Sequence, residues 1–221
     1  MKNKKLKFSS KEIFFTSDLH VSHGNIIKYC SERWNFLNES ERDILENGSV
    51  EESKNMRVGQ DSIDRMNETI INNINAKVGK KDALWILGDV GWFKNRNQVT
   101  DFYNQLNCNR IYLVVGNHDQ VNLYLYSNNL LAGVYDQAII NVGKHVVHLN
   151  HYAMMRWDQS HHGSYHLFGH SHGQLNNFIA EKFPQYKMLD VGIDGHDFKP
   201  WSFDEINAYM KPKQGEKFVP N

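Results

Sequence analysis

Short apolar segments that end abruptly in a polar residue constrain the fold of this 221-residue chain more than any other feature. Three such segments lie in its first half, at residues 13–17, 84–87 and 111–115. Between the first two, apolar residues three or four positions apart predict a helix over residues 62–78, with Asp61 or Ser62 as its N-cap. A shorter helix is predicted before the third segment. This alternation favours parallel strands joined by helices, which is typical of the α/β class.

The second half of the chain has a different pattern. Residues 138–142 and 146–150 flank a Gly-Lys turn and predict a β-hairpin, and residues 165–168 and 188–193 predict two more strands. Ser202 and Glu205 form a capping box that opens a last helix. We expect one domain over residues 1–221, with a loose tail from about residue 212.

A polar segment at residues 38–59 interrupts this pattern. It is rich in Glu and Asp and contains few large apolar residues. The favoured interpretation is a solvated surface insertion, because polar insertions are readily tolerated. The alternative is a mobile flap over a functional site.

Charge and cysteine content limit the partners and the compartment. Lys and Arg together number 25, as do Asp and Glu, so no global positive field draws the chain to nucleic acid or to an anionic membrane. The two cysteines, Cys30 and Cys108, lie far apart and form no CxxC motif, which favours reduced thiols. No apolar run approaches the ~20 residues that a membrane span needs. We therefore expect a soluble, cytoplasmic protein, and nothing in the sequence specifies an oligomeric state.

Five polar segments carry the chemistry, and each lies at or just beyond the end of a predicted strand. They are Asp18-Leu-His20, Gly88-Asp89, Gly116-Asn117-His118-Asp119, His151, and Gly169-His170-Ser-His172. In open α/β sheets, sites form where strands end at their carboxyl edge. On an extended chain, residues two apart such as Asp18 and His20 point the same way, as do His170 and His172. The glycines allow sharp turns and close approach of the backbone to an ion.

These side chains indicate a metal site. Clustered carboxylates and imidazoles are costly when unpaired, and a divalent cation removes that cost. The set contains oxygen and nitrogen donors without thiolate, which excludes a cysteine-type structural zinc site. It suits Mn²⁺, Fe, Zn²⁺, Co²⁺ or Ni²⁺ better than Mg²⁺ or Ca²⁺. Two ions satisfy the cluster better than one if a carboxylate bridges them.

The order of the five segments resembles the calcineurin-like metallophosphoesterase superfamily, in particular a small single-domain subgroup of bacteria and phages. The resemblance extends from residue 13 to about residue 207 and includes Asp190-Val-Gly-Ile-Asp194. It implies a four-layer α/β/β/α sandwich of two mixed β-sheets. It also implies two divalent transition-metal ions, with Mn²⁺ the first choice in vitro. The first ion would be held by Asp18, His20, Asp89 and His172, and the second by Asp89, Asn117, His151 and His170.

The same resemblance implies the catalytic roles. His118 would assist the leaving group, Asp119 would orient the His118 imidazole, and a bridging hydroxide would attack phosphorus in line. The substrate would be a phosphate mono- or diester, and the neutral net charge favours a small nucleotide-type molecule. A nuclease that uses the same metals is the alternative, and a non-catalytic scaffold on this fold ranks below both. One departure from the superfamily pattern Gly-Asp-x-x-Asp is Trp92 in the final position.

Four residues are candidates for substrate contacts. His23 and Asn25 precede a short helical stretch whose free N–H groups would suit an anion, although Asn25 has an alternative role as a helix cap. Arg156 is the best-placed arginine for a phosphate, with a surface salt bridge as the alternative. His162 lies in a His-His-Gly segment that resembles either a substrate-contacting loop or an ordinary polar loop.

Overall fold

The computed structural model describes residues 6–119 and 130–215. Within these ranges the chain forms ten strands: β1 (Lys7–Phe8), β2 (Ile13–Thr16), β3 (Ala83–Ile86), β4 (Arg110–Val114), β5 (Gly133–Tyr135), β6 (Gln137–Val142), β7 (His145–Asn150), β8 (Tyr165–Phe168), β9 (Met188–Asp190) and β10 (Trp201–Ser202). The described α-helices are α1 (Gly24–Tyr29), α2 (Glu39–Asn47), α3 (Val50–Asn55), α4 (Gln60–Lys77), α5 (Arg96–Asn104), α6 (Gln174–Lys182) and α7 (Phe203–Met210).

The strands form two five-stranded mixed sheets. In the first sheet the order is β10-β2-β3-β4-β5, and only the β10–β2 pair is antiparallel. In the second sheet the order is β1-β6-β7-β8-β9, and only the β6–β7 pair, the predicted hairpin, is antiparallel. Because β2 to β5 run parallel in the first sheet and β7 to β9 run parallel in the second, the carboxyl ends of each set meet at one edge of its sheet.

The buried apolar residues of the described chain form three clusters, which lie between the layers of the fold. Alternate residues of β2 serve two of them: Ile13 and Phe15 point between the sheets, and Phe14 points to the helices on the outer face. The outer face of the first sheet packs against α4 and α5, and that of the second sheet packs against α6 through Ile179. The layers are therefore α/β/β/α with two mixed sheets, which confirms the fold class implied by the resemblance.

Helix α4 begins earlier than the sequence predicts. Gly59 is its N-cap, and no side chain caps it, so the prediction of Asp61 or Ser62 as the cap is wrong. The Ser62 hydroxyl instead donates to the buried Glu41 carboxylate at a distance of 2.5 Å. The same carboxylate also accepts a hydrogen bond from the Gly59 N–H. The predicted capping box of Ser202 and Glu205 is confirmed at the start of α7.

The polar segment 38–59 folds into two short helices, α2 and α3. Each opens with a capping box, Asn38 with Glu41 and Ser49 with Glu52. Most of its residues are exposed, but the Glu41 carboxylate ties α2 to the start of α4. The segment is thus attached to the helical layer of the first sheet.

One predicted strand is shorter in the structure: the strand predicted over residues 188–193 stops at Asp190, and a 3₁₀ turn occupies Ile193–Gly195. In the tail predicted to be loose from about residue 212, the Gly215 N–H donates to the Gln185 carbonyl. Residues 216–221 lie outside the described residues, so the looseness of the tail stays a prediction. No helix in the described parts of the chain combines the length and the apolar character needed to cross a bilayer.

Candidate metal centre

The polar segments of both sheets meet at one place, directly beyond the carboxyl ends of five strands. Asp18 and His20 follow β2, Asp89 follows β3, Asn117 follows β4, His151 follows β7, and His170 and His172 follow β8. A hydrogen bond crosses between the sheets here, because the His170 N–H donates to Asp18 Oδ2 at 2.9 Å. The site therefore lies where the two sheets adjoin.

Within the described residues, four groups of side chains have ligand atoms that all lie within 4.8 Å of one another, and two of these groups consist of predicted ligands alone. These two are Asp18, His20 and His172, and Asp89, His151 and His170. Asp89 also connects them, since its Oδ2 lies 3.7 Å from His20 Nε2 and 3.6 Å from His151 Nε2. One carboxylate oxygen thus faces both halves of the cluster.

His151 presents a lone pair to the cluster. Its Nδ1 lies 2.7 Å from the Leu87 carbonyl oxygen, which can only accept, so Nδ1 carries the proton. In the neutral ring, Nε2 is then an acceptor, and it lies 3.0 Å from Asn117 Oδ1. A cation between these two atoms would receive a lone pair from each of them. The orientation therefore fits a metal held jointly by His151 and Asn117.

Two buried atoms of the first group lack a hydrogen-bond partner within the described residues. They are Asp18 Oδ1 and His20 Nε2. Burial raises the pKa of Asp18 to about 7. Burial, and to a smaller extent the positive charge of Arg33, holds the pKa of His20 well below its usual value. An unpartnered carboxylate oxygen and a neutral imidazole nitrogen in one buried pocket are costly without a cation and suit one as ligands.

A buried ion pair positions His172. Its Nδ1 lies 2.6 Å from Asp194 Oδ2, which leaves Nε2 for the cluster. The Arg33 guanidinium holds the same carboxylate with two hydrogen bonds, Nε to Oδ1 at 2.6 Å and Nη2 to Oδ2 at 3.0 Å. Burial opposes a charged imidazole, but the hydrogen bonds to Asp194 and Cys30 and the negative charges of Asp18 and Asp194 together outweigh it and raise the pKa of His172 to about 10. Such carboxylate–histidine contacts orient metal ligands.

Arg33 also ties this pair to the first ligand loop. The guanidinium donates to the main-chain carbonyls of Asp18 at 2.7 Å and Leu19 at 3.1 Å, and the side chain is fully buried. No sequence pattern identifies Arg33 or predicts a role for Asp194. Arg33 therefore connects ligand segments from both sheets.

We expect Arg33→Met to lower the free energy of unfolding of the metal-free chain by about 3–5 kcal/mol, because Asp194 would lose its buried cation. Urea unfolding followed by circular dichroism measures the change. A second substitution, Asp194→Asn, should recover part of the loss by removing the buried charge. Metal affinity should stay about 10–100-fold weaker, because His172 is no longer oriented.

The matched control is Arg110→Met, at an exposed arginine at the start of β4. Its free energy of unfolding should stay within about 0.5 kcal/mol of the parent. Equal unfolding midpoints for the Arg33 and Arg110 variants would show that the buried pair does not hold the site.

The ligand loops adopt an uncommon backbone conformation. Asp18, His20, Asp89, His170 and His172 all have φ between 49° and 67°, in the left-handed region. The prediction that Asp18 and His20, or His170 and His172, lie on extended chain is therefore wrong. Asp and His enter this region more readily than bulky residues, and such strain concentrates at functional sites. His170 and His172 consequently belong to different groups.

Glycine is required where these loops cross. Gly88 has φ of 98°, and a Cβ there would overlap His151 Nδ1. A Cβ on Gly169 would overlap the Ser17 hydroxyl and Asp18 Oδ2. These contacts confirm that the glycines permit close approach of the backbone around the cluster.

Asp119 has a different role from the one predicted. Its buried carboxylate accepts three main-chain N–H groups, from Asp89 at 2.8 Å, Gly116 at 2.9 Å and Val90 at 3.0 Å. Both oxygens are thereby committed to the turns after β3 and β4. Asp119 therefore holds the loops that present Asp89 and Asn117, and the prediction that it orients the His118 ring is wrong.

His118 lies against the first group. The centroid of its ring is 5.3 Å from that of the His20 ring, and the main-chain N–H of His118 donates to Asp89 Oδ1 at 3.0 Å. A ring nitrogen of His118 also lies within 4.8 Å of ligand atoms of His20 and Asp89. The geometry therefore places His118 where it could reach a group bound at the cluster.

His23 and Asn25 differ in their relation to the site. His23 Nδ1 lies 3.2 Å from His20 Nδ1, and burial lowers the pKa of His23 to about 4. A neutral His23 thus supports the orientation of His20. Asn25 is exposed in the first turn of α1, whose N-cap is His23, so the alternative of Asn25 as the cap is wrong.

His162 lies at the other end of the second sheet. It precedes β8, whereas His170 follows that strand, and a four-residue strand separates the two ends by about 13 Å. Its neighbours line a separate cavity with Lys144, His145 and Lys187. This position excludes His162 from the cluster. Arg156 is exposed in the segment between β7 and β8, and its substrate contact stays a prediction.

The chain belongs to the calcineurin-like phosphoesterase family, whose family model matches residues 11–146. The uncharacterized protein MJ1445 of Methanocaldococcus jannaschii is 24% identical to it over 205 residues, which cover 90% of each chain. The crystal structure of AQ665, a protein of unknown function from Aquifex aeolicus, matches 89% of this chain and 97% of its own with a TM-score of 0.59 and 21% identity.

The family match indicates a metal-dependent phosphoesterase. At 21% identity the solved structure shows the fold alone. The family match ends before His151, His170 and His172, so the geometry of the second sheet supplies the other half of the candidate centre.

Proposed function

We propose that this chain is a dinuclear metal-dependent hydrolase of phosphate mono- or diesters, with a small nucleotide-type substrate. The observation that carries the proposal is the position of Asp89 Oδ2, which faces His20 Nε2 on one side and His151 Nε2 on the other. A carboxylate oxygen so placed suits two cations that share it. The family match supports the phosphoester chemistry.

The residues around this oxygen supply two complete donor sets. Asp18, His20, Asp89 and His172 would hold one ion, and Asp89, Asn117, His151 and His170 would hold the other. Oxygen and imidazole donors suit first-row divalent ions, and we propose Mn²⁺ for assays. When bound, the ions supply Lewis acidity toward the phosphoryl group and lower the pKa of a water molecule.

The chain's own residues complete the proposal. The hydrogen bond from the main-chain N–H of His118 to Asp89 Oδ1 fixes the main chain beside the cluster, and the His118 ring lies next to the His20 ring. From there the imidazole would give a proton to the departing oxygen. Asp119 keeps the turns of Asp89 and Asn117 in place through its three N–H contacts.

The test is hydrolysis of cyclic and linear phosphomonoesters and diesters with Mn²⁺ added, alongside a single-stranded DNA. We expect turnover of at least one small ester and its loss with a chelator. Preferred cleavage of the DNA, with binding that weakens steeply as salt rises, would indicate the nuclease instead. No turnover of any substrate by protein that carries two ions would refute the proposal.

A further inference from the structure

A tryptophan stands exposed beside the candidate centre. Trp92 is 48% exposed, although it lies only three residues after Asp89. Its main chain is firmly held, since the Trp92 N–H donates to the Val21 carbonyl at 2.8 Å and the Val21 N–H donates to the Val90 carbonyl at 3.0 Å. The position of the indole is therefore set by the same paired loops that present His20 and Asp89.

One face of the indole is supported from within the protein. The His23 ring stacks on it, with centroids 4.8 Å apart and ring planes 19° apart. His23 in turn contacts His20, so the indole is the outermost ring of a series that begins at a candidate metal ligand. A ring backed on one side and exposed on the other offers a flat surface for a second planar group.

The indole lies on the His118 side of the centre. The His118 ring meets it edge-on at a centroid distance of 5.4 Å and lies 5.3 Å from His20. The other half of the centre has its own exposed aromatic, Tyr152, whose ring lies 4.8 Å from that of His170. Of these two aromatics, Trp92 is the one that adjoins the residue expected to assist the leaving group.

We propose that Trp92 is a specificity-determining residue: its free face stacks on the planar base of a nucleoside leaving group. The inference rests on the proposed function, because it takes the leaving group to depart beside His118. Stacking on an indole tolerates any base, since every base has a π-face, and it rejects a sugar or an alkyl alcohol that has none. The substrate class is therefore a nucleotide ester, and a bare sugar phosphate is disfavoured.

The probes are adenosine and ribose, which differ only in the base and contain no ester to hydrolyse. Each is titrated by equilibrium dialysis against the full chain with Mn²⁺ and inorganic phosphate present. We expect the parent to bind adenosine more tightly than ribose. Trp92→Leu should weaken adenosine binding about 5- to 100-fold and change ribose binding little, whereas Trp92→Phe should retain most of the preference.

Tyr152→Leu is the matched control, because it removes an equally exposed aromatic from the opposite half of the centre. It should keep the preference for adenosine. The proposal is overturned if Trp92→Leu keeps that preference, or if it weakens the binding of adenosine and ribose alike, as it would if the indole only shielded His23. It is also overturned if the two Leu variants behave the same.

The outcomes separate this inference from the proposed function. Ester hydrolysis by the parent without any preference for adenosine over ribose overturns the stacking role and leaves the phosphoesterase intact. A preference for adenosine that depends on Trp92, in a chain that hydrolyses no ester, supports the stacking surface and refutes the phosphoesterase.

Discussion

Replacing Asp89 by Asn should remove both metal ions and reduce phosphoester hydrolysis to the level of the chelated parent. The reason is geometric: a single oxygen, Asp89 Oδ2, faces His20 and His151, so both ions lose their shared negative donor together. The substitution keeps an oxygen that can accept the His118 N–H, so the loop should keep its shape. Metal content is measured by mass spectrometry after dialysis, and folding by circular dichroism.

Asp204→Asn is the matched control for this variant. Asp204 is exposed in the first turn of α7, which follows β10 at the amino end of β2 and so lies at the sheet edge opposite the cluster, and its loss should change neither metal content nor rate. Metal-dependent hydrolysis that persists in Asp89→Asn, or the loss of one ion only, would show that the carboxylate does not bridge.

The second large effect concerns His118. We expect His118→Gln to keep both ions and to slow the hydrolysis of esters with poor leaving groups by about 10²–10⁴-fold, the usual range for lost acid–base assistance. A nitrophenyl ester should be affected far less, because its leaving group departs without a proton. Steady-state rates on the two kinds of ester, together with metal content, measure both parts of the prediction.

His162→Gln is a matched histidine control, at the opposite end of β8 from the cluster. It should leave rates on both esters unchanged. If His118→Gln loses an ion, His118 is a ligand, as its closeness to His20 and Asp89 permits. If it slows both esters equally, proton transfer to the leaving group is not its role.

The sequence predicted which strand ends converge on the candidate centre because the relevant information is local. A buried strand that stops at Asp, Asn or His places that side chain at a sheet edge, and parallel strands bring such edges together. Asp18, Asp89 and Asn117 follow three neighbouring strands in this way. The strands were recognisable from their apolar runs alone, because both faces of the sheet are buried.

The contacts behind the ligands were not predictable by the same route. Arg33 and Asp194 are 161 residues apart, and neither belongs to a periodic pattern that would pair them. The family resemblance implied that Asp119 orients the His118 ring, yet its carboxylate accepts main-chain N–H groups at the end of another strand. Such choices depend on tertiary packing, which local patterns do not specify.

Helices α2 and α3 were missed although their signals are present. Asn38-x-x-Glu41 and Ser49-x-x-Glu52 are capping boxes, and each marks a helix start in the structure. The segment was interpreted from its acidic composition instead. The left-handed φ values of the ligand loops had no sequence signal beyond the residue types Asp and His, which tolerate them.

The placement of the candidate centre between the two sheets has a mechanical consequence. Each candidate ion-binding group takes donors from both halves of the sandwich: His172 joins Asp18 and His20 in one group, and Asp89 joins His151 and His170 in the other. Occupancy of such a site is coupled to docking of the halves, since neither sheet alone carries a full donor set. A bound ion would link the two sheets, and the free energy of metal binding would also oppose sliding of one sheet against the other.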